Sequence, residues 1–199
     1  GTTPARLGYN LGHFMPASNA ADWFRYSGAG AARVFMSVAV IEPTDDIAPV
    51  GDGVESQAGF FARRSLLRSN GASTTEALDD SLVDWASFKN HYSDISTGSN
   101  RIVMDHALGN LRDRGIPVLA NLTASPSRFP ISGENDWAGK WELWQHYYAE
   151  AFLLTRDYSV DSFGMFNEPN GYAGMTEVDW LMRYRICSDA IQTGVADMN

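Results

Sequence analysis

Ser162-Phe163-Gly164-Met165-Phe166-Asn167-Glu168-Pro169-Asn170 is an apolar run that stops abruptly at a polar rim. A short, near-continuously apolar segment reads as a strand covered on both faces. Pro169 has no backbone N–H, so a paired strand cannot continue through it. Glu168 therefore stands at the end of a strand running over 162–166. Three earlier runs have the same character. They cover 6–10 (leading into Leu11-Gly12-His13-Phe14), 32–37 (Ala32-Arg33-Val34-Phe35-Met36-Ser37) and 117–122 (Pro117-Val118-Leu119-Ala120-Asn121-Leu122).

Helical patterns separate and follow these strands. The first covers 19–26, with Ser18 or Asn19 as N-cap. The second covers 100–114, with Val103, Ala107, Leu108 and Leu111 on one face and Gly115 closing it. The third covers 137–157, with Leu143, Tyr147, Ala151 and Leu154 at helical spacing. The last covers 176–195, where Thr176 and Asp179 form a capping box with the shorter acid. The order β-α-β-α-β-α-β-α predicts a parallel sheet with right-handed crossovers. Two connections are long: residues 38–99, holding a short helix around 82–91, and residues 123–136. Both leave the C-terminal ends of strands, where parallel α/β folds place their sites, whereas Arg114-Gly115-Ile116 on the opposite side is short.

The 199 residues fit one domain, with 44% hydrophobic, 20% charged and 12% aromatic residues, the ordinary balance of a soluble globular protein. A formal charge of -9 opposes counterion-release binding to nucleic acid and attraction to an anionic membrane. No run reaches the length of a membrane span. Cys187 is the single cysteine, so no internal disulfide forms; it reads as a small buried hydrophobe. The opening Gly1-Thr2-Thr3-Pro4 carries no export leader. No His/Cys cluster suggests zinc, and Asp45, Asp46 and Asp52 lack the spacing of an EF-hand, so no metal is expected. No Gly-rich turn follows a strand, so no nucleotide cofactor is expected.

A carboxylic acid fixed at a sheet rim is what glycoside hydrolysis requires, because the leaving oxygen must receive a proton as its bond breaks. Asn167-Glu168-Pro169 closing a fourth strand resembles the acid/base signature of clan A, the large clan of retaining glycosidases built on (β/α)8 barrels. In that clan the Glu is the proton donor and the preceding Asn contacts the sugar 2-hydroxyl. Arg33 resembles the arginine that keeps the nucleophilic carboxylate ionised. Four stretches narrow the likeness: Gly8-Tyr9-Asn10-Leu11-Gly12-His13-Phe14-Met15-Pro16, Ala32 through Ser37, Phe129-Pro130-Ile131-Ser132, and Lys140-Trp141-Glu142-Leu143-Trp144-Gln145-His146. Together they resemble the β-agarases and β-porphyranases of glycoside hydrolase family 86, over most of the chain.

The resemblance implies a secreted or periplasmic endo-hydrolase that cleaves β-linked galactose units of a red-algal galactan with retention and without a cofactor. Glu168 is then the catalytic acid/base. Asn167 and Arg33 are candidate substrate-binding residues by the resemblance, and His13 and Asn121 at strand ends and Trp137 opening a helix are candidates by position. Arg63, Arg64, Arg68 and Arg128 are candidates for sulfate groups. Trp141 and Trp144, inside a helical run, are expected to pack on the barrel exterior. A complete barrel has eight strands and about 250 residues. Four are legible here, so residues 1–199 are expected to be the first four βα units, with the long loop after the second strand at 38–99 and a C-terminal half as partner. The nucleophilic Glu, which the resemblance implies on the seventh strand, is not in this chain. Glu42, Asp45, Asp46 and Glu134 do not match its motif, and the isolated chain is expected to be inactive. Two alternatives are a non-catalytic carbohydrate-binding protein on the same fold and an unrelated doubly wound α/β protein.

Overall fold

The computed structural model describes residues 8–12, 22, 26–28, 30–37, 53–69, 83, 85, 108–123, 126–171 and 175–199. Four parallel strands form one sheet: β1 (Gly8–Gly12), β2 (Ala31–Ser37), β3 (Val118–Thr123) and β4 (Ser162–Met165). Their spatial order is β1-β2-β3-β4, the order of the chain. The described sheet thus lacks the reversal of strand order that defines a doubly wound fold. All three pairings are parallel, and β1 shifts register between Asn10 and Gly12.

The register sorts side chains onto two unlike faces, because residues paired across parallel strands point the same way. On one face Ala32 pairs with Val118, Val34 with Ala120 and Phe163, and Met36 with Leu122 and Met165. All belong to the core or pack against it. On the other face Arg33 pairs with Leu119 and Ser162, and Phe35 with Asn121 and Gly164. Leu119 is 36% exposed and Ser162 is exposed, while Arg33 and Thr123 are half-buried. The first face is buried along β2 and β3 and half-buried at Phe163 and Met165 of β4; the second is buried only at Phe35 and Asn121.

The covering layer is α3 (Trp137–Tyr158) and α4 (Glu177–Met198). Asp136 caps α3: its Oδ1 accepts from the Gly139 N–H at 2.9 Å and its Oδ2 from the Ser132 N–H at 2.7 Å. Ser159, in the left-handed region at φ 56°, ends that helix. The capping box expected at α4 is present, with Thr176 and Asp179 bonded reciprocally. Gly194 permits the closest approach of the two helices, since a Cβ there would lie 2.6 Å from the Tyr148 carbonyl oxygen.

Every residue of α3 from Lys140 to Leu154 is buried, unlike the outer helix of a simple two-layer wrap. The reason is α1 (Gln57–Ser69), a helix within the segment expected to be a long loop. Its Phe60 sets its ring edge against Trp141 and Trp144, and Trp85 packs on Tyr148 and Phe152. Part of the 38–99 segment thus forms an outer layer on α3, and Trp141 and Trp144 lie beneath it. A short helix, α2 (Asn110–Asp113), precedes β3. Only Val83 and Trp85 of the helix expected around 82–91 are described; both are buried. Of the helices expected over 19–26 and 100–114, most residues lie outside the described ones. No helix among the described residues is long and apolar enough to cross a membrane.

Candidate active site

The end of β4 is held by a small set of specific bonds. The Phe166 N–H donates to the Leu122 carbonyl at 2.9 Å, carrying the β3–β4 pairing one residue past the strand. The Asn121 Nδ2 donates to the Phe166 carbonyl at 3.3 Å. Phe166 (φ 58°) and Glu168 (φ 47°) both adopt left-handed backbone, which non-glycine residues seldom do. Beyond them the Gly171 N–H donates to the Glu168 carbonyl at 2.8 Å, closing a short 3-10 turn over Pro169–Gly171. The chain is thereby bent sharply away from the sheet at the position of Glu168.

That bend leaves the Glu168 side chain exposed, without a hydrogen bond or ion pair among the described residues. A rim glutamate serving only an internal ion pair would instead have a cation beside it. Next to it, the Asn167 Oδ1 accepts from Arg33 Nη2 at 3.3 Å, linking β2 to the end of β4 across 134 residues of sequence. The Arg33 guanidinium lies 4.4 Å from the centre of the Phe35 ring, two residues along the same face of β2. Arg33, Asn167 and Glu168 are thus brought together at the C-terminal rim.

Asn121 belongs to this rim in a different capacity. It is 3% exposed, and its amide is engaged by the Phe166 carbonyl. It also fills the space over Gly164, where a Cβ would lie 2.6 Å from the Asn121 Oδ1. It holds the turn that carries Asn167 and Glu168. Thr123 similarly ties β3 to β2, donating to the Met36 carbonyl at 2.8 Å.

Trp137 is placed elsewhere. It packs against Phe60 and Phe61 of α1, under the Lys140 ammonium 4.2 Å from its ring centre. It lines a groove between α1, α3 and α4 that none of Arg33, Asn121, Asn167 or Glu168 reaches. Arg64 is bound to Asp189 on that outer side, Arg63 lies over Trp141 and Arg128 over Phe129. Glu134 is exposed on the wall of the same groove. His13, Glu42, Asp45 and Asp46 lie outside the described residues, as does the side chain of Arg68. The described residues contain no group of three or more His, Cys, Asp or Glu arranged to hold a metal ion.

What the sequence reading missed is the positioning role of Asn121 and the displacement of Trp137. A signal for the first existed: Asn121 and Gly164 sit at equivalent places in two apolar runs, and an amide in such a run needs a partner. No signal existed for the second, because it depends on α1 packing on α3. No protein-family model, no curated protein and no solved structure matches the chain.

Proposed function

We propose that residues 1–199 are the first four βα units of a (β/α)8-barrel glycoside hydrolase that cleaves β-galactosidic bonds of a red-algal galactan with retention. The single observation that carries this reading is the exposed, unengaged carboxyl of Glu168. It follows a parallel strand directly, beside an Asn167 anchored to Arg33. Two features of the sheet support the barrel. The strand order follows the chain, and the face bearing Arg33, Leu119 and Ser162 is incompletely covered, as a lumenal face would be before closure.

In this reading Glu168 protonates the glycosidic oxygen while a carboxylate from a later strand attacks the anomeric carbon, and then takes a proton from the incoming water. The two carboxyl groups must stand about 5–5.5 Å apart for retention. Arg33 holds Asn167 in place to meet the sugar hydroxyl adjacent to the reacting carbon. The polysaccharide is the partner, with the C-terminal half of the barrel completing the site. Secretion or a periplasmic location follows from a substrate too large to enter a cell.

The test is Glu168→Gln in the complete gene product, assayed on agarose and on porphyran. Turnover of the polysaccharide should fall by about 10²–10⁴-fold with binding retained. An aryl glycoside with a good leaving group, which needs little protonation, should lose far less in the bond-breaking step. Unchanged polysaccharide turnover refutes the assignment, and an equal loss on both substrates refutes the acid role. Release of new reducing ends by the pure 199-residue chain refutes the placement of the nucleophile beyond it.

A further inference from the structure

The groove that holds Trp137 has the features of a binding site in its own right. Its volume is about 700 Å³. Small-molecule sites occupy about 300–1,000 Å³ and are mostly apolar, with a few convergent polar groups. Here Phe60 and Phe61 of α1, Trp137 and Trp144 of α3, and Met182 and Ile186 of α4 form the apolar walls. Phe61 is 46% exposed and Val178, at the margin, 76%.

The groove is built rather than incidental. Asp189 of α4 accepts from Arg64 Nε of α1 at 2.7 Å and from Trp144 Nε1 of α3 at 2.8 Å. One carboxylate therefore pins all three helices around the cleft and has its charge met by Arg64. Asp179 is occupied in the capping box of α4. The cations are less well satisfied. Lys140 is 7% exposed, yet its ammonium is held only by the Glu134 carbonyl and the Trp137 ring, with no carboxylate in ion-pair contact among the described residues. Asp136 feels its charge from further off. Arg185, also lining the groove, has no hydrogen-bond partner among the described residues. A buried ammonium whose nearest carboxylates stand beyond ion-pair contact keeps part of its desolvation cost, which an anion seated against it would offset. Against these two cations only the exposed Glu134 carboxylate is uncommitted.

We infer that this groove binds an amphiphilic anion, an alkyl or aryl carboxylate, whose head meets Lys140 and Arg185 and whose body lies on the aromatic wall. The site is separate from the Glu168 rim and independent of the reaction proposed there. Titration of the full chain with decanoate, followed by tryptophan fluorescence, tests it, since Trp137 and Trp144 line the cleft. One saturable site is expected. Decylammonium should bind about tenfold more weakly, and Arg185→Gln should weaken decanoate about tenfold, the loss that follows from one charge-assisted hydrogen bond. Because Arg185 is exposed, that variant leaves the fold intact. Met182→Trp, which fills the cleft, should abolish binding of both ligands; its melting curve shows whether it has folded. Absence of saturation, equal affinity for decanoate and decylammonium, or decanoate affinity unmoved by Arg185→Gln overturns the inference.

Discussion

Gly164→Ala tests the architecture of the rim more sharply than any change to the acid itself. Gly164 carries no left-handed backbone, so alanine is conformationally permitted and only the new contact matters. The added Cβ would lie 2.6 Å from the Asn121 Oδ1 and 3.5 Å from its Cγ. The Asn121 amide is buried and donates to the Phe166 carbonyl at 3.3 Å, so moving it aside breaks that bond. Leaving a buried carbonyl unsatisfied costs about 1–3 kcal/mol. Against this, Gly→Ala stabilises by about 0.4–1 kcal/mol through the unfolded chain. The net expectation is a loss of up to about 2.6 kcal/mol, centred on about 1.3, or about 3–5 °C in Tm at that centre for a domain of this size. Urea unfolding and thermal melting of the 199-residue chain measure it directly. Asn121→Ala removes the obstacle, so in that background the same substitution at 164 should cost little. The double-mutant cycle should then show a coupling of about 1 kcal/mol or more. Strict additivity of Gly164→Ala with Asn121→Ala refutes the role given to Asn121.

Three further outcomes follow from buried or capped groups. Burial pushes the Cys187 thiol well above its ordinary range, so the native chain should not react with a thiol-specific disulfide reagent at neutral pH and should react fully in urea. Rapid labelling of the folded chain contradicts that packing. Burial, with Asp197 accepting from its hydroxyl at 3.1 Å, also raises the Tyr148 phenol far above its ordinary value. Its folded pKa lies above the unfolded one, so its contribution is complete below about pH 10 and declines as pH rises beyond that. Tyr148→Phe should flatten the alkaline limb of the stability profile. Partial burial pushes the Asp136 carboxyl up, but the Ser132 and Gly139 N–H groups, the Ser132 hydroxyl and the Lys140 charge outweigh it and hold it below the ordinary range. That contribution is present above about pH 4 and is lost as pH falls through the lowered value. Asp136→Asn should remove this acid dependence while keeping a side-chain oxygen for the cap, and an unchanged acid limb counts against it.

Much of the plan was legible along the chain. The period and composition of four apolar runs place four parallel strands within one or two residues of where they stand, because a strand buried on both faces leaves a local signature. The Thr176–Asp179 cap, the close of β4 before Pro169 and the exposure of Glu168 are likewise local consequences of residue type. What tertiary structure alone decided is which distant residues meet. Arg33 reaches Asn167, Asn121 holds the Phe166 turn, and α1, hidden in a Gly- and Ser-rich segment, lies over α3 and draws Trp137 away from the rim. Hydrophobic period reports which side of an element seeks cover, since that depends on its own side chains. It carries no record of what supplies the cover, because that is settled by packing between segments far apart in sequence.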